Sequence, residues 1–110
     1  MTFITTLIKD KFNFTIPIYP AIGNHEFFPA DTFNPYNTTD NEVIRNITGN
    51  LWRDWLGEEA FHKYSENFYY SKYNKDLNLR VISLNTMDCD VINFNLIINP
   101  TDPAKQVNFI

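Results

Sequence analysis

The chain holds one cysteine, two histidines and no long apolar run, and each shortage removes a class of answer. A lone Cys89 permits no disulfide within the chain, so the residue alone reads as a buried free thiol. No uncharged stretch approaches the roughly 18 residues that a membrane span requires, so no transmembrane segment is expected. Residues 1–11 lack the basic start, long apolar stretch and small-residue cleavage site of a signal peptide. Lys and Arg number 9 against 13 Asp and Glu, giving a net charge of −4. With no basic stripe anywhere, a nucleic acid polymer is not an expected partner.

What is present suits one small packed unit: 110 residues, 44% hydrophobic and 16% aromatic. Phe3, Ile4, Leu7, Ile8 and Phe12 recur at helical spacing and predict a helix over about 3–12. Residues 17–22 read as a buried strand, with Pro17 and Pro20 at its start or on an unpaired side because they donate nothing to a ladder. A loop over 23–37 follows. Thr39-Asp40-Asn41-Glu42 has the form of a capping box, and the helix after it runs to about Leu56 with Val43, Ile44, Ile47, Leu51 and Trp55 inward. Gly57 ends it as a left-handed cap. A short helix over 58–64 and two strands, 67–73 and 79–85, around a turn at Asn74-Lys75-Asp76 come next. Asp102-Pro103 has the pattern of an N-cap followed by Pro at the first helical position, and predicts a new helix there.

Gly23-Asn24-His25-Glu26, directly after Ile16-Pro17-Ile18-Tyr19-Pro20-Ala21-Ile22, is where chemistry concentrates: an amide and an imidazole side by side at the end of an apolar segment. Asn after Gly at such a place also reads as a plain turn residue, since Asn tolerates left-handed backbone. The tetrapeptide resembles the Gly-Asn-His-Glu block of the calcineurin-like metallophosphoesterases. The blocks around it extend the likeness: Phe33-Asn34-Pro35, Phe68-Tyr69-Tyr70-Ser71, Leu79-Arg80-Val81-Ile82-Ser83-Leu84-Asn85, Cys89 and Asn99-Pro100-Thr101-Asp102-Pro103-Ala104-Lys105-Gln106. In that order they look like the middle of an acid sphingomyelinase-like phosphodiesterase.

The resemblance implies an α/β fold, a partial two-sheet metallophosphoesterase sandwich with flanking helices, of which residues 1–110 form a central segment incomplete at both ends. It implies two zinc ions in the complete enzyme, with Asn24 supplying one metal-binding oxygen and His25 serving the leaving group or the phosphate oxygens. Glu26 takes a support role by accepting hydrogen bonds that fix the loop. The implied reaction is hydrolysis of sphingomyelin to ceramide and phosphocholine, with a nucleotide phosphodiester as the alternative substrate and a non-catalytic remnant as the alternative role. The family's upstream Asp-x-His and Gly-Asp and its downstream Gly-His-x-His do not occur in this sequence. Because catalytic zinc takes at least three protein ligands, the chain by itself is expected to be inactive.

His62 matches no ligand block and reads as a surface residue. Trp52 and Trp55 read as core, while Phe27 and Phe28 divide evenly between core and an apolar substrate entrance that would make peripheral membrane contact. Sequons stand at Asn13, Asn37 and Asn46, which suit a secreted or lysosomal glycoprotein, the localisation the resemblance also implies. The same likeness makes Cys89 half of a disulfide whose partner lies outside the chain.

Overall fold

Local chemistry explains most of the elements in the computed structural model, which describes residues 1–98 and 101–110. Asn99 and Pro100, the start of the last family-like block, lie outside the described residues. Helix α1 (Thr2–Phe12) stops where Asn13 turns left-handed at φ 42° and returns its N–H to the Lys9 carbonyl. Only part of its apolar side is used. Ile8 packs on the core and Lys9 pairs with Asp54 at 3.0 Å while lying over the Trp55 ring, but Phe3, Ile4 and Leu7 remain exposed.

Helix α2 (Glu42–Leu56) starts close to the expected place but without the predicted capping box, for Asn41 is its N-cap and no side chain caps it. Asn41 is committed elsewhere: its amide nitrogen donates to the Asn34 carbonyl at 2.7 Å, tying the helix start to the preceding loop. The buried face of the helix is shifted from the expected one. Val43 and Ile47, expected inward, are exposed, and Thr48, Trp52, Trp55 and Leu56 are buried, with Ile44 and Leu51 packed beside them. Gly57 follows at φ 74°, a conformation glycine adopts without a Cβ penalty. It separates α2 from α3 (Glu58–Asn67), which is three residues longer than predicted and closes against α2 through Tyr64, whose hydroxyl donates to Thr48 Oγ1 at 2.6 Å.

Strands β1 (Tyr70–Asn74) and β2 (Leu79–Ser83) pair antiparallel, Tyr70 opposite Ser83 and Asn74 opposite Leu79. The architecture is a mixed α/β packing in which α2 lies on α1 and α3, and α3 on β1. Among the described residues this hairpin is the whole sheet.

Two expected elements are corrected. Residues 17–22 are extended but form no strand, and of them only Ile22 is buried. Pro17 and Pro20 have no N–H for a ladder, and the segment meets the hairpin through side chains instead. Tyr70 Oη donates to the Pro20 carbonyl at 2.8 Å, Ser83 Oγ reaches the same carbonyl at 3.4 Å, and Asn74 Nδ2 donates to Tyr19 Oη at 2.8 Å. No helix begins at Asp102-Pro103: Asp102 sits at φ 44°, its carbonyl accepts from Lys105 N at 3.0 Å and its carboxylate from Val107 N at 2.8 Å. A closed turn results, with Gln106 clasped to Asn85 in both directions, accepting from its N–H at 2.6 Å and donating to its carbonyl at 3.0 Å.

The core is aromatic. Phe27, Phe33, Phe68, Tyr64 and Tyr70 meet at ring-centroid distances of 5.4–6.3 Å, mostly edge to face, an arrangement that adds about 0.5–1.5 kcal/mol per pair beyond burial. Burial pushes the Tyr70 phenol up to about 12 and the Tyr64 phenol higher still, so both remain neutral donors over any ordinary pH.

Candidate functional site

The Gly23–Glu26 tetrapeptide forms one 3₁₀ turn, Asn24–Glu26, tightened by its own carboxylate. Gly23 N donates to Glu26 Oε2 at 2.9 Å, and Glu26 N reaches the Gly23 carbonyl at 3.4 Å. A Cβ at position 23 would stand 2.7 Å from that Oε2, so glycine is what lets the carboxylate close on the backbone. Glu26 thus holds the turn, and it borders an apolar cavity of about 310 Å³ between α1 and α2, beside Ile8, Ile18, Trp52 and Trp55.

Phe27 decides where the turn sits. It is 5% exposed and lies against Phe33 and Phe68, anchoring the chain directly after the motif. Phe28, the next residue, is 98% exposed. The pair therefore splits between core and surface, and a cleft of about 320 Å³ opens between Phe27, Phe28, Thr32, Asn41 and Asn95.

Between these fixed points His25 is exposed and Asn24 half-buried. Asn24 Nδ2 donates to Asp31 Oδ1 at 2.8 Å, and Asp31 N reaches the Asn24 carbonyl at 3.3 Å. With its nitrogen engaged, the Asn24 amide presents its oxygen as the free end. Asp31 escaped the sequence reading, since a contact across seven residues follows from loop closure and no local pattern announces it.

The loop is also braced from far along the chain. Asn93, buried, donates to the Phe33 carbonyl at 2.8 Å and to the Met87 carbonyl at 3.1 Å, and Asn95 donates to the Thr32 carbonyl at 3.1 Å. The 3₁₀ turn Thr86–Cys89 contains Asp88, which is 5% exposed and has no hydrogen-bond partner on either oxygen. Burial, and then the charge of Asp102, push its carboxyl up to about 7.

Other expected positions resolve plainly. Cys89 is exposed, which corrects the buried-thiol reading; a bulky turn interior occupied by Met87 and Asp88 leaves the thiol outside, donating weakly to the Thr86 carbonyl at 3.3 Å. His62 stands on the surface, 3.9 Å from Glu58. Asn13, Asn37 and Asn46 are all exposed, and no helix among the described residues is long and apolar enough to cross a membrane.

No group of three or more His, Cys, Asp or Glu side chains placed to hold an ion occurs among the described residues. The donor chemistry that is present, one neutral amide oxygen beside an imidazole, suits a single ligand position and the groups around it.

No family model matches the chain, but individual proteins do. It is 37% identical over its whole length to a sphingomyelin phosphodiesterase of Bos taurus, of which it covers 18%. It is equally 37% identical to the cyclic GMP-AMP phosphodiesterase SMPDL3A of Homo sapiens, covering 23% of that protein. Sphingomyelin phosphodiesterase B of Dictyostelium discoideum is 34% identical over 97% of the chain, which spans 16% of it. The chain thus spans about a fifth of the length of the relatives it matches, and it belongs, as a segment of that size, to the acid sphingomyelinase-like phosphodiesterases.

Proposed function

We propose that this chain supplies part of the catalytic domain of a phosphodiesterase acting on sphingomyelin, releasing ceramide and phosphocholine. The observation that carries the reading is the Gly23–Glu26 turn: a backbone-clamped loop that offers an amide oxygen and an exposed imidazole side by side. It is supported by relatives whose names describe phosphodiester hydrolysis. His25 donates a proton to the departing alkoxide or steadies the phosphate oxygens, work suited to an exposed imidazole. Asn24 offers its oxygen to a metal, which we take to be zinc, two ions in the complete enzyme. Such ions lower the pKa of a bound water and neutralise phosphate charge. Glu26 keeps the two residues in place. The complete domain is proposed to be a two-sheet sandwich into which residues 1–110 fit centrally.

A secreted or lysosomal setting accords with exposed sequons at Asn13, Asn37 and Asn46 and with an exposed Cys89 free to pair outside the chain. Exposed Phe28 beside the turn would meet a lipid surface. A second reading has an observation in its favour: with no three-ligand cluster among the described residues, the isolated chain acts as a binding or structural module without turnover.

Assays on sphingomyelin, cyclic GMP-AMP and bis(p-nitrophenyl) phosphate separate these readings. The 110-residue chain should show no chelator-sensitive turnover, and the chain exchanged for the matching segment of the bovine sphingomyelin phosphodiesterase should restore it, first on sphingomyelin. Turnover by the isolated chain would overturn the ligand assignment, and preference for cyclic GMP-AMP in the exchange would move the substrate to the nucleotide class.

A further inference from the structure

We propose that Asp31 is a positioning residue for Asn24: its carboxylate fixes the carboxamide so that the oxygen, and not the nitrogen, is the end presented to a ligand. The inference rests on the reading of Asn24 as a metal-binding residue and adds the device that makes it competent.

A carboxamide is nearly symmetric in shape and opposite in chemistry at its two ends. Rotated by half a turn about its last bond, Asn24 would offer two N–H donors to a cation, which repels them. An ionised carboxylate accepts and cannot donate. Placed 2.8 Å from Asn24 Nδ2, it admits only the orientation with nitrogen inward, and it does so through a charge-assisted bond stronger than a neutral one. An Asn or Ser at position 31 would impose no such choice, because each can both donate and accept.

The backbone repeats the constraint. Asp31 N meets the Asn24 carbonyl at 3.3 Å, so the same two residues close the loop through main chain and side chain together. Asp31 adopts φ 62°, a left-handed conformation that Asp and Asn tolerate better than other side chains and glycine better still. A loop needing only the bend is served by glycine, whereas Asp adds the carboxylate. Thr32 Oγ1 turns back to the Pro29 carbonyl at 2.5 Å, and Asn95 holds the Thr32 carbonyl at 3.1 Å. Asp31 is therefore held from both sides while Asn24 sits on the short turn fixed by Glu26.

The orientation can be read on the 110-residue chain by NMR of the Asn24 side-chain amide. In the parent chain its Nδ2 protons should exchange with solvent about tenfold more slowly than those of exposed Asn50, the protection of one charge-assisted hydrogen bond. In D31N, which keeps size and left-handed tolerance, the protection should fall and two orientations of the Asn24 amide should interconvert; in D31A it should vanish. Protection unchanged in both variants would overturn the proposal, and D31N retains the fold if D31A does not.

The consequence for a metal is tested with the chain exchanged into the bovine sphingomyelin phosphodiesterase, by zinc content and affinity. N24A should weaken zinc binding, and D31A should weaken it about 10–100-fold, the usual effect of removing the partner of a ligand. The double variant should bind no worse than N24A alone, since an orientation cannot matter once the amide is gone. Additive losses would mean that Asp31 merely supports the loop. If N24A leaves zinc content untouched, the reading of Asn24 as a ligand fails; if N24A loses zinc while D31A does not, only the positioning role fails.

Discussion

Asn93 Nδ2 lies 2.8 Å from the carbonyl oxygen of Phe33, a bond across 60 residues that joins the turns after β2 to the loop carrying Asn24 and His25. The same nitrogen reaches the Met87 carbonyl at 3.1 Å, while Asn93 Oδ1 accepts from Asn95 N at 3.2 Å. One buried side chain therefore settles three backbone groups from two parts of the chain, and the motif loop is held at its far end as well as by its own Glu26.

Asn93→Ala should destabilise the chain by about 2–3 kcal/mol, because buried carbonyls left without donors carry their full desolvation penalty. The Phe33 carbonyl keeps a weaker donor in Asn95 at 3.3 Å, so the loss should fall short of two orphaned groups. Urea unfolding of the variant measures it. Hydrogen exchange should also rise around residues 31–34, and stability unchanged within about 0.5 kcal/mol would show the brace to be idle.

Phe27 and Phe28 should respond in opposite ways to truncation. Phe27→Ala removes the ring that meets Phe33 and Phe68 and should cost about 3–5 kcal/mol, the range for a buried phenylalanine. Phe28→Ala, at 98% exposure, should leave thermal and urea stability within about 0.5 kcal/mol of the parent. If the exposed ring serves a lipid surface, that variant should lose partition onto phosphatidylcholine–sphingomyelin vesicles, measured by sedimentation. A large stability loss from Phe28→Ala would contradict its placement.

Stability should fall as pH rises from about 4 to about 7, through Asp88. The buried carboxyl, facing Asp102 and lacking any hydrogen-bond partner, is held in its neutral form up to about 7 in the folded chain, whereas the unfolded chain releases that proton near 4. Protons are therefore bound more tightly by the folded state, and each pH unit between the two values removes up to about 1.4 kcal/mol from stability. The full contribution is present below pH 4 and lost above 7. Asp88→Asn, neutral at every pH, should flatten the profile and exceed the parent in stability at pH 8. Urea midpoints at pH 4.5 and 8 for both chains decide it, and a parent profile that climbs over this window would refute the burial of an unpartnered Asp88.

Much of the fold was legible where the chemistry is local. Gly57 between two helices, and the Asn74-Lys75-Asp76 turn between two runs of β-forming residues, place α2, α3 and the hairpin to within a few residues. Residues 17–22 misled because apolar content predicts burial but not a ladder, and the segment meets the hairpin through Tyr70, Ser83 and Asn74 side chains. At Asp102 the capping pattern lost to tertiary structure: the left-handed residue and the Asn85–Gln106 clasp close the chain into a turn. In the Gly23–Glu26 turn, Asn24, His25 and Glu26 stood out as candidates because they are contiguous. Asp31 and Asn93 did not, since their partners are chosen by how loops close in space.

Asn24 and His25 should part company when each is changed in a catalytically complete setting, with the chain exchanged into the bovine sphingomyelin phosphodiesterase. Asn24→Ala removes an amide oxygen and should lower metal content. His25→Ala removes an exposed imidazole that holds no other part of the loop among the described residues, so metal content and thermal stability should stay near the parent values. Its turnover of sphingomyelin should nevertheless drop by roughly 10²–10⁴-fold, the usual worth of one positioned acid–base group. The decisive comparison is with bis(p-nitrophenyl) phosphate, whose leaving group departs without needing a proton. If His25 is the acid, the loss on that substrate should shrink toward a few-fold. An equal loss on both substrates would assign His25 to stabilising charge on the phosphate oxygens instead. Loss of metal from His25→Ala with retention in Asn24→Ala would reverse the two assignments.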